Sequence, residues 1–326
     1  MKNKKKKIAI FVLFLILLLI ILMSLNTGST GDGYRKLYEA FIKGENSGYR
    51  KILMTVRIPR IAVALITGVN LAVSGALLQS VMRNPLADPS IIGVSSGASL
   101  AAISTMFIFP QFMSLLPVFA FIGGIAAFIL VYTFAWKNGI RPLRIILSGI
   151  AVNGIFGGIT NGIGLLNTEK LPSLMLWTNG SISSKGWNDI AILAVISLVC
   201  IILAFLAAEN CNILLLGDET ALGLGIEPNR NRIMISMIAV ALSSISTAYV
   251  GIISFAGLIV PHICRLIVGS DYKYLLPSSV LLGGILILGS DTFTRAAFSG
   301  MEIPVGILMS IVGGPFFLYL LRRSNI

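Results

Sequence analysis

The residues able to do chemistry are few, and their placement is poor for catalysis. The one histidine, His262, stands in Ile259-Val260-Pro261-His262-Ile263, an apolar run where an imidazole reads as structural. No G-x-x-x-x-G-K-[S/T] phosphate loop occurs, so the chain itself is expected neither to bind nor to hydrolyse ATP. H-E-x-x-H and C-x-x-C are missing too. Cys200, Cys211 and Cys264 lie in or beside apolar segments without metal-ligand spacing and read as packing residues. Carboxylates at mid-span would point to a proton- or sodium-coupled carrier. Here Asp88, Glu209, Asp218, Glu219, Glu227 and Asp271 fall at one set of segment ends, and Glu39, Glu45, Glu169, Asp189 and Glu302 at the other. Asp291 comes nearest to an exception. A secondary carrier is thus the weaker alternative, and no enzyme activity is expected.

Two groups of side chains have the chemistry to meet another protein. Arg35, Lys36, Lys43, Arg50, Lys51, Arg57 and Arg60 crowd one polar segment. They are either merely solvated or matched to an acidic partner. The second group is the run from Leu214 to Pro228. Gly217 can cap a short helix whose positive end favours Asp218 and Glu219. Ala221, Gly223 and Gly225 would keep its surface low enough for a partner to approach the backbone.

The elements that must position these groups are membrane helices. Of the 326 residues, 56% are apolar and 12% charged, with mean hydropathy +0.92. A soluble domain is usually about 25% charged, whereas about 20 apolar residues form a span. The apolar runs predict spans at 8–25, 58–82, 91–109, 115–136, 143–166, 189–208, 231–250, 256–269, 274–297 and 303–321. The fold expected is therefore all-α, a polytopic membrane protein of about ten transmembrane helices. One membrane domain, 1–326, is expected, with no soluble and no nucleotide-binding domain. The first run follows Lys2 and Lys4–Lys7 and lacks an A-x-A cleavage pattern, so it reads as a retained span.

Residues 233–269 are too long for one crossing, and the glycines of Tyr249-Val250-Gly251-Ile252-Ile253-Ser254-Phe255-Ala256-Gly257 can break the helix. Splitting there puts both termini in the cytoplasm. The amino-terminal lysines, Arg83, Lys137, Arg141, Arg144, Arg230, Arg232, Arg265, Lys273, Arg322 and Arg323 then share the inner side, as the positive-inside rule asks. The net charge of +12 reports that bias rather than a nucleic-acid partner. The glycines within spans, such as Gly93, Gly97, Gly154, Gly157, Gly158, Gly162, Gly283 and Gly313, are expected mostly to let helices pack closely.

Several stretches in order carry a resemblance: Arg57-Ile58-Pro59-Arg60, Ser74-Gly75-Ala76-Leu77-Leu78-Gln79, Asn84-Pro85-Leu86-Ala87-Asp88-Pro89 and Gly93-Val94-Ser95-Ser96-Gly97-Ala98. Further along come Gly217-Asp218 with Ala221 and Leu224-Gly225, then Phe255-x-Gly257-Leu258-Ile259-Val260-Pro261-His262-Ile263-x-Arg265. Glu302-Ile303-Pro304-Val305-Gly306, running to Gly313-Gly314-Pro315-Phe316, completes the set. From about residue 57 onward the chain resembles the permeases of ABC importers for ferric siderophores, haem and cobalamin. The resemblance implies a dimer with a second permease copy or close paralogue, two cytoplasmic ATPase subunits and an extracytoplasmic substrate-binding protein. It implies that Arg57, Arg60 and Arg295 dock acidic residues of the binding protein. Asn84, Pro85 and Leu86 would belong to a cytoplasmic gate. Gly217, Asp218, Glu219, Ala221, Leu224 and Gly225 would form the loop that couples to the ATPase. No cofactor is expected on this chain, since ATP and Mg would sit on the partner ATPase. Which chelate is carried is not legible, because selectivity would reside in the binding protein.

Overall fold

A computed structural model describes residues 2–27, 48–137, 139–183, 185–298 and 302–323. Among them there is no β-strand, only an isolated bridge between Trp136 and Ile140. Helices occupy all ten predicted places: α1 (Lys2–Asn26), α2 (Ile58–Val81), α3 (Val94–Phe107), α4 (Leu116–Ala135), α5 (Pro142–Leu166), α6 (Trp187–Leu206), α7 (Pro228–Val250), α8 (Ala256–Val268), α9 (Tyr272–Ala297) and α10 (Val305–Arg323). Eight are long and apolar enough to cross a membrane. The other two, α3 and α8, have 14 and 13 residues. At 1.5 Å per residue they reach about 20 Å, short of the roughly 30 Å hydrocarbon core.

Local chemistry explains both short helices. The run expected to open α3 at residue 91 is instead a 3-10 turn, Pro89–Ile92, which Asp88 caps by accepting from the Ser90 amide at 2.9 Å. Gly93 then turns the chain at φ +85°. Before α8, the helix breaks where the glycines allow it. Gly251 has φ +76°, and even Phe255 takes the left-handed region at φ +67°. Such unwound backbone is tolerable at membrane depth only when protein satisfies it. The Val250 carbonyl accepts from Ser181 N–H at 2.7 Å and the Trp177 carbonyl from Ile252 N–H at 3.4 Å. Gly180 and Gly306 press on the Ile252 carbonyl, where a side chain on either would collide.

Helices α2 and α7 form the centre, and α2 packs on α6, α7, α8 and α9. Their polar side chains face one another rather than lipid. Asn70 donates to Ser197 Oγ (2.7 Å) and Ser246 Oγ (3.0 Å), and Ser74 Oγ donates to the Ala239 carbonyl at 2.6 Å. Three crossings bring backbone onto backbone. A Cβ added at Gly75 would stand 1.9 Å from the Gly257 carbonyl oxygen, one at Gly68 would stand 2.2 Å from that of Gly283, and one at Gly97 would stand 2.4 Å from that of Gly123. The expectation that packing explains most span glycines fails on α5. Gly154, Gly157, Gly158 and Gly162 meet nothing within 4 Å, because that face of α5 has no neighbour within the chain.

This contrast is measurable by unfolding in detergent. Gly75→Ala is expected to lower stability by about 1–3 kcal/mol, as overpacking does. Gly158→Ala, whose added Cβ meets nothing within 4 Å, should leave stability unchanged or raise it by up to about 1 kcal/mol. Equal effects of the two substitutions would refute the α2–α8 contact as a packing constraint.

Candidate functional site

At the end of the bundle where α1 finishes and α2 begins, the three arginines gather. Arg57 closes a π-helical turn, Leu53–Arg57, that joins the short helix Gly48–Ile52 directly to α2. The helix therefore starts ten residues before the predicted 58, and Arg57 belongs to it rather than to a loop. The Met54 carbonyl in this turn accepts from Trp187 Nε1 at 2.9 Å. Arg57 is 6% exposed and donates to the Leu25 carbonyl at 2.8 Å and to the Tyr49 hydroxyl at 3.2 Å. Arg35, Lys36 and Lys43 of the basic segment lie outside the described residues.

Arg60 and Arg295 converge on one carboxylate, Asp291, which is fully buried. Arg60 Nε stands 2.9 Å from Asp291 Oδ1, and Arg295 Nε stands 2.9 Å from Oδ2. A buried carboxylate survives in an apolar helix only when paired. Two guanidinium groups share this one, so positive charge is left over. Glu302 approaches Arg60 at 3.5 Å from an exposed position. Arg295 also donates to Ser24 Oγ (2.7 Å) and the Thr27 carbonyl (2.6 Å). Together with Arg57 it satisfies the carbonyl end of α1, where the helix dipole favours cations. The side chains of Arg60 and Arg295 stay 16% and 15% exposed. Asp291 is the organising residue of this cluster. Its sequence signal was only an acid inside an apolar run, since its partner Arg60 lies 231 positions away.

At the opposite end of α2 lies the predicted gate segment. Asn84 Oδ1 accepts from the Leu86 amide at 2.9 Å, and the Asn84 carbonyl from Ala87 N–H at 3.1 Å, so Pro85 sits at the exposed tip of a tight turn. Gln79 donates to the carbonyls of Ala87 and Gly257, each at 3.3 Å, and Arg265 donates to Gln79 Oε1. Asn153 on α5 donates to the Ser90 carbonyl at 2.9 Å. Burial pushes the Asp88 carboxyl above its ordinary range, against the lowering effect of the Ser90 hydroxyl and amide.

The predicted coupling loop is beside this gate. Gly217 has φ +114° and starts the short helix Asp218–Gly223. Asp218 accepts from Arg232 through both oxygens, at 2.6 and 3.1 Å, and also from Arg83. Burial alone would raise its pKa, but hydrogen bonds and charge from Arg232 and Arg83 hold it below the usual carboxylate range. Arg232 is 1% exposed and also donates to the Ile140 carbonyl at 3.2 Å. Arg83 also donates to the Leu214 carbonyl at 2.7 Å. The turn after α2 and the short helix Asp218–Gly223 are thereby joined by an ion pair, a link 135 residues apart in the chain. Ala221 departs from the expectation of a low outer surface, because it is fully buried beneath the helix. What faces outward mixes leucines with polar side chains. Leu216, Leu222 and Leu224 are exposed, with Glu219 among them and the open backbone of Gly225 alongside.

Between α3 and α5 a cavity of about 610 Å³ opens above the gate segment. Ser90, Ser95, Ser96, Ser99, Asn153 and Asn161, with Thr160 and Thr178, contribute its polar lining, and none of the described residues that border it is charged. The sequence carried a faint signal of this face. Ser95 and Ser99, and Asn153 and Asn161, recur at helical spacings beside the unpacked glycines of α5.

Known proteins are similar to this one along most of the chain. It is 41% identical over 281 residues to the Fe(3+)-citrate import system permease protein YfmD of Bacillus subtilis (strain 168), covering 86% of this chain and 84% of that one. It is 35% identical over 309 residues to the hemin transport system permease protein HmuU of Yersinia pestis, covering 93% and 91%. Identity to the cobalamin import system permease protein BtuC of Halobacterium salinarum is 39% over 278 residues, covering 84% and 74%. A solved metal-chelate type ABC transporter in an inward-facing conformation superposes with a TM-score of 0.85 at 30% identity, covering 97% of this chain and 99% of that one. The long apolar helices and these relatives make the chain a multi-pass protein of the cell membrane. The FecCD transport family matches residues 16–323, and the chain belongs to that family.

Proposed function

We propose that the chain is the membrane permease of an ABC importer for a ferric siderophore or citrate complex, haem or cobalamin. A separate ATPase pair drives it, and an extracytoplasmic binding protein feeds it. The observation that carries this reading is the Asp218 ion-pair network, which ties a short helix flanked by exposed leucines to the gate segment at one end of α2. An exposed patch of Leu216, Leu222 and Leu224 on a loop between membrane helices is the surface expected where another protein sits. The positive-inside distribution assigns that end to the cytoplasm. Read this way, the ten helices are ten crossings with both termini inside, α3 and α8 being lengthened by the turns that precede them. Residues 1–326 then form one permease domain, and nucleotide binds only on the ATPase.

The opposite, outer end carries Arg57, Arg60 and Arg295 with charge in excess of their buried carboxylate. A guanidinium held by Asp291 keeps its remaining N–H groups fixed, which suits it to a carboxylate on a docking lobe. The buried acid would by itself favour an ion-coupled carrier. Pairing with two arginines removes it from that role. The open glycine face of α5, beside the polar cavity, is suited to a second permease copy. Cargo would pass between the two copies over hydroxyl and amide groups, which make few strong demands on its chemistry.

Four outcomes check the reading. Leu222→Glu with Leu224→Glu should abolish co-purification of the ATPase while leaving the melting temperature of the permease unchanged. Retained ATPase would remove the coupling assignment. Arg83→Gln should leave the assembled complex intact but cut uptake by about tenfold, or about 1.4 kcal/mol of coupling. Normal uptake would show that the Arg83–Asp218 pair transmits nothing. Arg60→Glu, in protein that still folds, should weaken binding-protein docking by about tenfold. Labelled ferric citrate, ferric siderophores, haem and cobalamin supplied to deletion and complemented cells would identify the cargo. If uptake of none of them depends on the gene, the importer reading fails.

A further inference from the structure

Helices α4 and α7 do not close against each other along their whole length. Between them runs an apolar groove of about 590 Å³ lined by Phe128, Tyr132, Trp136, Ile233, Met237 and Ala241. A second groove of about 400 Å³, between α6 and α7, shares Met237 and Ala241 with the first. Two long apolar channels thus flank one ridge of α7, which is the shape of a two-chain lipid rather than of a compact solute.

Charge marks one end of this groove. Trp136, 54% exposed, ends α4 and lines the groove, and Lys137 follows it in an exposed position. The bridge between Trp136 and Ile140 folds the loop back. Ile140 N–H donates to Asn229 Oδ1 at 3.0 Å, so Arg141 and Arg230, both exposed, are each the next residue along from a contact that joins this loop to the start of α7. Arg230 is also one helical turn below Ile233 on the face that lines the groove. Arg144 donates to the Lys137 carbonyl at 3.0 Å and holds the loop in this shape. Glu227, the nearby acid, is turned to the amides of Asn229 and Arg230 at the start of α7. A tryptophan beside clustered cations at the end of an apolar groove matches a phospholipid at the headgroup level.

We propose that this groove is a specific site for an anionic phospholipid. Its phosphate would meet Lys137, Arg141 and Arg230, one acyl chain would lie between α4 and α7, and the other would cross Met237 into the second groove. The site touches the coupling machinery, because Arg232 holds both the Ile140 carbonyl and Asp218. Bound lipid would brace the loop against which the coupling helix is fastened.

The test is native mass spectrometry of the delipidated, detergent-solubilised permease titrated with phosphatidylglycerol or phosphatidylcholine. One phosphatidylglycerol per chain should be retained in preference to phosphatidylcholine. Lys137→Ser/Arg141→Ser/Arg230→Ser should reduce that preference by about tenfold. Lys273→Ser, an exposed cation at the same end of the bundle on α9, should leave it unchanged. Ala241→Trp, which fills the groove, should lower retention of both lipids. Equal retention of the two lipids by the native chain would overturn the proposal, as would an undiminished preference in the triple variant. Displacement of the lipid by millimolar inorganic phosphate alone would also overturn it, since the rim would then be a free-anion site.

Discussion

Helix α2 touches its neighbours backbone to backbone, and the rest of the bundle is arranged around those contacts. Lipid tails are as apolar as leucine, so no hydrophobic force draws one membrane helix to another. Association must come from close van der Waals approach and from hydrogen bonds between side chains. Gly68 against Gly283 and Gly75 against Gly257 supply the first. Asn70 and Ser74, reaching α6 and α7, supply the second. A Cβ at either crossing would push the helices apart and strand those polar groups, so the two kinds of contact stand or fall together.

Once α2 is fixed, the two ends of the molecule follow from it. Arg60 stands in its first turn and Arg83 just past its last, about 35 Å apart along a helix of this length. Each arginine meets a carboxylate that it could not have found alone. Asp291 comes from α9 because Gly68 and Gly283 bring α9 against α2. Asp218 comes from the loop before α7 because Arg232 fastens that loop to the start of α7. Unpaired charge is costly in such places, and the ion pairs set the register of loops as much as they stabilise them.

These dependencies explain what the sequence disclosed and what it withheld. The ten helical segments were legible because apolar runs and glycine breaks are local, and the split at Gly251–Gly257 was decided by charge in distant loops. The starts of α2 and α3 were not. Nothing in the apolar pattern announces that helix runs on from Gly48 through a π turn, or that Asp88 holds residues 89–92 in a separate turn. Arg57, Arg60 and Arg295 could be grouped only through resemblance, and Asp291 between them was visible only as an oddity. The surface position expected for Ala221 was wrong because a short helix has one buried face, and six residues show no periodicity by which to choose it. The open face of α5 was hidden for the opposite reason. A glycine that packs and a glycine that waits for a partner look the same until the neighbours are counted.

A permease must let its two ends differ in mobility, and the chemistry of the two ends does so. At the arginine cluster, α1, α2 and α9 are tied through buried groups, with Asp291 at the centre and no regular way to release one helix alone. At the other end the fastening is a partly exposed ion pair on a six-residue helix, and the segment between Met82 and Gly93, which holds Asn84, Pro85 and Leu86, is turns rather than continuous α-helix. Such turns absorb backbone rotation, whereas packed helices move as units. Arg83 and Asp218 are both partly exposed, so their pair breaks at smaller cost than the buried pair at Asp291, whereas Arg232, itself buried, keeps Asp218 fastened to the start of α7. A force applied to the exposed leucines would therefore move the short helix and the turns after α2 before it disturbed the arginine cluster. The rigid rod of α2 would carry the remainder of that motion as a tilt of the bundle rather than as a local unfolding.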